Sequence, residues 1–381
     1  MLKCGILGVG NAGNQVVSYA ASVQAPFNLL AMNCSSEDLR MVPDSVPRLV
    51  IGDGRGAGKN RSESKTFLSE DVTGVIKSDC LKNFLTDLDV VFVVSSTGGG
   101  TGSGISLLLS TVMKNVFPTI YTIPIGIMGT LKEALSTHSN TLEYLKELYE
   151  NMKDTTYMLY DNEKFAKLPS NQMMERVNKQ IVDDLVVLTG YYNHNTKYSS
   201  IDDRDMLNII RTPGRLVIGS VINFKEKDIN EKSIEKQLLE NIKTSGSVDL
   251  QKDRIVNRLG VIANITEPVS EQFDTTVPEV QKEVGSPVEN FEHISIIDDT
   301  KLPNSVYLIL SGCTQVNDRI NQINDRVSEI LERQNQKEDD DALSGVDVAA
   351  LNAKKVYKKP VIEEKQVDLG NIFSQFGVDL K

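Results

Sequence analysis

The chain has 381 residues, 40% of them hydrophobic and 24% charged, with a formal net charge of −11. That length suits two domains of ~100–200 residues each and leaves enough apolar side chains for a sizeable core. The acidic balance argues against broad, direct nucleic-acid binding, which needs a basic face to displace phosphate counterions. No apolar run approaches the ~20 residues needed to cross a bilayer. The first residues show no basic region, apolar signal core or cleavage site. Cys4, Cys34, Cys80 and Cys313 are far apart and follow no metal-ligand spacing. The expectation is a soluble, cytoplasmic protein with reduced thiols and no membrane partner.

In chain order, Leu2 to Leu7 reads as a strand that stops at glycines, and Val16 to Val23 as a helix. Phe27 to Met32 and Leu49 to Ile51 read as further strands. The apolar run Val90 to Val94, bounded by Asp89 and Ser95, suits a buried parallel strand. An apolar helix follows over Ile105 to Val116, then a strand over Ile120 to Ile125, a helix over Leu131 to Met152 and a strand over Thr156 to Tyr160. Strands alternating with helices predict an α/β fold with a doubly wound parallel sheet. A long helix is expected over Met173 to Leu188, with Met174, Val177, Ile181, Leu185 and Leu188 on one face. A short helix over Asp203 to Ile210 follows a polar loop. Arg215 to Phe224, Ile255 to Ile265, His293 to Ile297 and Ser305 to Leu310 then read as strands of a smaller mixed domain. Ile320 to Leu331 reads as a polar helix, and the charge run Lys337 to Asp341 opens a stretch that reads as disordered.

The richest chemical signal is Gly98-Gly99-Gly100-Thr101-Gly102-Ser103-Gly104, after a buried strand and at the start of a helix. Five glycines in seven residues let successive backbone N–H groups point into one concavity. The following helix adds its N-terminal N–H groups and positive dipole end. Together they suit a di- or triphosphate, with the hydroxyls of Thr101 and Ser103 as further donors. It is not a Walker A loop, because the Lys-Ser/Thr pair is missing. The segment Gly8-Val9-Gly10-Asn11-Ala12-Gly13 is formally a GxGxxG after the first strand, which leaves a nicotinamide-dependent oxidoreductase as an alternative. That alternative wants an acid at the end of the second strand; Met32-Asn33-Cys34 supplies none, and Glu37 and Asp38 are the nearest. Asp202, Asp203 and Asp205 have a plain structural reading as a solvated helix start, since Asp is favoured at N-caps and first turns.

Taken together, these segments resemble the tubulin/FtsZ superfamily. Gly98 to Gly104 matches its G-G-G-T-G-[ST]-G signature at every position. Gly10-Asn11-Ala12-Gly13-Asn14-Gln15 is similar to the first nucleotide loop of tubulin, and Asp161-Asn162-Glu163 to its D-N-E segment. Gly56-Ala57-Gly58-Lys59-Asn60 resembles the G-A-G-G-N loop of FtsZ, Asn33-Cys34-Ser35 stands where FtsZ has N-T-D, and Asp202-Asp203-Arg204-Asp205 resembles its catalytic D-x-x-D. The likeness implies GTP and GDP as ligands, with Mg²⁺ held through the phosphates rather than by protein side chains. It implies Asn14 and Asn162 as guanine readers, with Asn178 on the central helix and Gln180 as its rival. Gly10, Asn11, Ala12 and Gln15 would line the cleft, and Asn33, Gly56, Ala57 and Gly58 would approach ribose and phosphates. Asp202 and Asp205 would act in the next subunit's site, so that hydrolysis accompanies polymerisation. The corresponding domains are 1–170 (GTP-binding), 171–195 (central helix), 196–311 (activation), 312–336 (C-terminal helix) and 337–381 (flexible tail).

Two departures stand out. Ser35 replaces the aspartate of N-T-D, and the helix after the fifth strand carries no convincing arginine; Glu133 and His138 are the polar residues nearby. The tubulin-like loops, the single polar helix and the tail most resemble the plasmid- and phage-borne TubZ branch, with a division-ring FtsZ as the competitor. The TubZ likeness implies filaments that move DNA through a DNA-binding adaptor. Leu369, Ile372, Phe373 and Phe376 fall at helical spacing in Val367 to Leu380, after the basic cluster Lys354, Lys355, Lys358 and Lys359. Such a segment can fold on a partner such as the adaptor, or dock on its own domain.

Overall fold

The computed structural model describes residues 1–194, 200–250, 256–298, 302–313, 316–340 and 369–378. Ten strands form the sheet: β1 (Cys4–Val9), β2 (Asn28–Asn33), β3 (Arg48–Val50), β4 (Val90–Ser96), β5 (Tyr121–Met128), β6 (Thr156–Asp161), β7 (Gly214–Phe224), β8 (Arg258–Ile265), β9 (Glu289–Ile296) and β10 (Asn304–Cys313). The helices are α1 (Gly10–Ser22), α2 (Ser36–Arg40), α3 (Arg61–Lys77), α4 (Asp79–Leu85), α5 (Thr101–Val116), α6 (Leu135–Asn151), α7 (Ser170–Leu188) and α8 (Asp203–Ile210). The second half adds α9 (Glu226–Glu231), α10 (Ile234–Thr244), α11 (Glu267–Ser270), α12 (Pro278–Val284), α13 (Asn317–Asp340) and α14 (Leu369–Gln375).

The strand order is β3-β2-β1-β4-β5-β6-β7-β10-β8-β9. The first six strands are parallel throughout, and every residue of β1 is buried, as a strand covered on both faces requires. One face packs under α3, α5 and α6, and the other under α1 and α7. The two halves join where β6 pairs with β7 over only two residues, Thr156 with Gly214 and Tyr157 with Arg215. Beyond that seam β10 runs antiparallel to β7 and β8 around a separate core. The smaller mixed domain is thus present, but its sheet continues the first one.

Several elements differ from the sequence reading in their limits. Helix α1 starts at Gly10 rather than Val16, because its first turn is made of the glycine loop itself. On α7 it is Met173, not Met174, that is buried with Val177, Ile181, Leu185 and Leu188. β10 runs through Cys313, so the last long helix starts at Asn317 instead of 312, and it continues to Asp340 through most of the charge run.

The tail, expected to be flexible over 337–381, is docked over its last described residues. Ile372, Phe373 and Phe376 are buried against the first, parallel half of the sheet and its helices, with Leu369 and Val378 packed beside them. Lys65 donates to the Phe376 carbonyl (2.9 Å) and Asn151 to that of Gln375 (2.9 Å), which satisfies carbonyls left open at the end of α14. Of the two outcomes left open for this segment, a partner or its own domain, the apolar face takes the second. The basic cluster Lys354, Lys355, Lys358 and Lys359 lies outside the described residues.

Helix α13 also grips the first domain. Arg319, in its first turn, forms a buried ion pair with Asp161 (Nε to Oδ2, 2.8 Å), and its Nη2 donates to Asp161 Oδ1 (3.1 Å) and to the Gly129 carbonyl (2.8 Å). Two turns on, Arg326 Nε donates to the Leu131 carbonyl (3.1 Å), and the Leu131 N–H donates to Glu163 Oε2 (2.7 Å). Both acids that flank Asn162 are thus anchored, one directly and one through the 129–131 turn.

Replacing one partner of a buried pair leaves the other charge without compensation, at a cost of about 3–5 kcal/mol. Arg319→Met is expected to lower the urea midpoint accordingly. Phe373→Ala is expected to cost up to about 3–5 kcal/mol, limited by how firmly the tail is held. The measurement that separates tail release from global unfolding is hydrogen exchange at Phe376 and Val378, whose N–H groups bond to the Phe373 carbonyl.

Candidate nucleotide-binding site

The strand order reverses direction between β1 and β4, and an α/β sheet opens a crevice at the carboxyl ends of such strands. The loops after these two strands carry both glycine motifs. They meet backbone to backbone: a Cβ on Gly10, itself at φ +74°, would lie 2.8 Å from the Gly102 nitrogen. A third loop closes in from β3, where a Cβ on Gly100 would lie 2.8 Å from the Lys59 Cα. Any side chain at these two positions would push the loops apart.

Helices α1 and α5 both begin at this crevice, with no side-chain cap and no acidic residue in the first turn. Helices α2, α3 and α4, by contrast, are capped by Ser35, Asn60 and Ser78. Two positive helix ends with open N–H groups face one cleft, an arrangement suited to an anion. Asn140 on α6 staples the loops together, its Nδ2 donating to the carbonyls of Lys59 (3.0 Å), Gly98 (3.2 Å) and Gly99 (3.3 Å). Arg61 binds the Ser103 carbonyl (2.9 Å) from below and pairs with Glu143 and Glu147 (2.8 and 2.7 Å). Neither residue belongs to a motif, so the sequence reading missed both.

The cleft has a volume of about 280 Å³ and brings together Gly10, Asn11, Ala12, Asn33, Gly56, Ala57, Gly58, Gly99, Gly100, Thr101 and Gly102. Ser35, Asp38, Lys59 and Ser96 line it as well, although they were not among the expected nucleotide residues. Gly98, Ser103 and Gly104 shape the loop without lining the cleft. The Ser103 hydroxyl is turned back to donate to the Gly99 carbonyl, which corrects its expected role as a phosphate donor. Asn33 uses its amide internally, donating to Asp38 Oδ2 (3.1 Å) and accepting from the Ser35 N–H (3.2 Å).

The expected base readers have a different signature. Asn14 is buried, yet neither Oδ1 nor Nδ2 has a partner, and the buried Asn162 Oδ1 is likewise unpaired. Buried polar atoms left this way cost about 1–3 kcal/mol each, so these amides fit a ligand with its own donors and acceptors, but Asn14, Gln15, Asn162 and Asn178 do not line the cleft itself. Gln15 reaches only Asn11 (3.5 Å). On α7, Gln180 is spent on Asp184 (2.7 Å), whereas half-buried Asn178 makes no side-chain hydrogen bond to a described residue. Among the described residues no group of three or more His, Cys, Asp or Glu is placed to hold a metal.

Asp202 and Asp205 lie elsewhere. They form a capping box on α8, Asp202 Oδ1 accepting from the Arg204 and Asp205 N–H groups (2.8 and 2.9 Å) and Asp205 Oδ2 from the Asp202 N–H (3.3 Å). Asp203 binds the amino terminus of Met1 (2.9 Å). They therefore sit at the amino end of the sheet, a β1 length away from the cleft, or ~20 Å at ~3.3 Å per residue.

Beneath the site, Asp184 is fully buried, accepting from Tyr160 OH and Gln180 (both 2.7 Å), and burial pushes its carboxyl up to about 7. A carboxyl whose folded pKa is raised binds more protons when folded, so its stabilising effect is complete below its ordinary range and is lost as pH rises through about 7. Asp184→Asn is expected to gain stability relative to the parent between pH 5 and pH 8, as measured by denaturation midpoints at both.

Comparison with known proteins agrees with this geometry. Residues 3–169 match the Tubulin/FtsZ family, GTPase domain. The tubulin-like protein CetZ of Pyrococcus furiosus is 23% identical over 253 residues, 63% of this chain and 66% of CetZ, so the match spans just under two thirds of that relative's length. The cell division protein FtsZ of Buchnera aphidicola subsp. Baizongia pistaciae is 23% identical over 342 residues, 82% of this chain and 80% of FtsZ. A GTPγS-form protofilament of Bacillus thuringiensis serovar israelensis TubZ superposes with a TM-score of 0.69 at 18% identity, covering 88% of this chain and 94% of that one. No described helix is long and apolar enough to cross a membrane. The order of β1 to β6 is shared with dinucleotide-binding folds, but the match of residues 3–169 to the tubulin/FtsZ GTPase domain and the second glycine loop set the oxidoreductase alternative aside.

Proposed function

We propose that the chain binds GTP in the cleft between its glycine loops, assembles head to tail into filaments, and completes each active site with Asp202 and Asp205 of the next copy. One observation carries this reading. The cleft and the two carboxylates occupy opposite ends of the sheet, so they meet only when the amino end of one copy sits on the cleft of another. Such a heterologous contact repeats without closing, which gives a filament.

In this reading the open N–H groups of α1, α5 and Gly100 to Gly102 cradle the phosphates, while Asn14, Asn162 and Asn178 read guanine through paired amide donors and acceptors. Mg²⁺, bound through the phosphates, would neutralise their charge. Asp202 and Asp205, held rigid by their capping box, position the attacking water at the terminal phosphate of the neighbouring copy. Loss of that phosphate then weakens the contact and permits disassembly.

For cargo, we propose plasmid or phage DNA, reached through a DNA-binding adaptor. The TubZ-like fold and the net charge of −11 support an indirect route. With the apolar face of α14 already occupied, adaptor recruitment falls to another surface. The longer alignment with a division FtsZ supports a second reading, a filament of the cell-division machinery.

Phosphate release from GTP, measured across protein concentrations with light scattering in parallel, tests the proposal. Turnover that appears only above a critical concentration, together with scattering, is the expected result; turnover strictly linear in protein with no scattering would overturn it. Asp202→Asn keeps the cap while removing the charge. It is expected to bind GTP as the parent does and to lose about a hundredfold or more in turnover.

A further inference from the structure

Lys59 occupies a position that folding alone does not assign to a lysine. Its backbone is left-handed (φ 61°), a region that residues with a Cβ rarely adopt. Glycine or asparagine would enter it more readily. The main chain there is fixed on both sides, because it lies against Gly100 and its carbonyl accepts from Asn140 (3.0 Å). What the lysine adds is therefore its side chain. That side chain is exposed and belongs to the cleft lining beside Gly99, Gly100 and Thr101. It forms an ion pair with none of the described residues, although Asp38 lines the same cleft. The neighbouring cations are engaged, Arg55 with Asp53 (3.8 Å) and Arg61 with Glu143 and Glu147.

The position along the sheet says which part of a nucleotide Lys59 meets. Asn162, with its unpaired buried oxygen, follows β6 on one side of the crevice, and Lys59 follows β3 on the other. A nucleotide with its base toward Asn162 and its inner phosphates on the glycine loop presents its last phosphate to Lys59. We propose that Lys59 is the cation that recognises the terminal phosphate of the bound nucleoside triphosphate, and that it sets the preference for triphosphate over diphosphate. This rests on the nucleotide reading of the cleft. A compact ammonium on a flexible stem suits the task, since it can engage a phosphate from the rim without a fixed bidentate geometry.

The test is the affinity of the full chain for MgGTP and MgGDP, measured by competition with a fluorescent guanine nucleotide below the concentration at which scattering appears. Lys59→Gly relaxes the backbone, so its denaturation midpoint should equal or exceed the parent's. Its affinity for GTP should fall about tenfold to a hundredfold, the range for losing a charged hydrogen bond, with GDP affinity unchanged. Lys59→Gln should lose the same preference and Lys59→Arg should keep it. A GTP-to-GDP ratio equal to the parent's in both Lys59→Gly and Lys59→Gln overturns the proposal. So does an equal loss for both nucleotides, which would place the ammonium on an inner phosphate. A parent that binds neither nucleotide removes the reading of the cleft itself, and this inference with it.

Discussion

The upper end of this sheet depends on main chain meeting main chain. Gly10 and Gly102, and Lys59 and Gly100, approach so closely that no side chain fits between them. That contact brings two uncapped helix ends and three loops around one cleft, with backbone N–H groups rather than charged side chains as its principal donors. It also explains why the supports are polar side chains aimed at carbonyls. Asn140 and Arg61 hold the loops by their C=O groups, and apart from Gly99, whose N–H donates to Ser96 Oγ (3.2 Å), the loop N–H groups are left for a ligand.

The C-terminal elements belong to the same design. Arg319 and Arg326 on α13 hold the two turns that frame Asn162, so the helix that follows the second domain fixes a loop of the first. On the same face of the sheet, Lys65 bridges Glu147 (2.5 Å) and the tail carbonyl of Phe376, and Glu147 in turn pairs with Arg61 under the phosphate loop. Burial pulls the Lys65 amine below its ordinary range, and the Glu147 carboxylate beside it works against that shift. Buried charges of this kind are retained only where each has a partner. Here the partners connect the tail, α3, α6 and the glycine loop in one network.

The two ends of the molecule carry complementary chemistry. One end has a cleft rich in N–H donors with Lys59, unpaired among the described residues, at its rim, and the other presents Asp202 and Asp205 on an exposed helix start. Under the proposed function, neither end is a complete hydrolytic site. In that reading chemistry and assembly become one event, and the rigidity of the capping box matters as much as the charge of its carboxylates.

Much of this was legible in the residues themselves. The parallel strands showed as continuous apolar runs, because both faces are covered. The glycine loop showed as five glycines in seven residues, because close backbone approach tolerates no Cβ. The sequence alone also identified the family, through motifs whose spacing reflects fixed strand and loop lengths. Other features were decided only in three dimensions, since they join residues with no local relation. Asn140 and Arg61 lie in ordinary helical stretches, and Ser103 could be seen turning away from the cleft only once its hydroxyl had found the Gly99 carbonyl. Asn178 and Gln180 could not be separated until Asp184 claimed one of them. The tail read as an amphipathic segment for a partner or for its own domain, because periodicity reports an apolar face but not what covers it; its own domain supplies that cover. Above all, the opposite placement of the cleft and of Asp202 and Asp205 is a property of the sheet's direction, which no motif records.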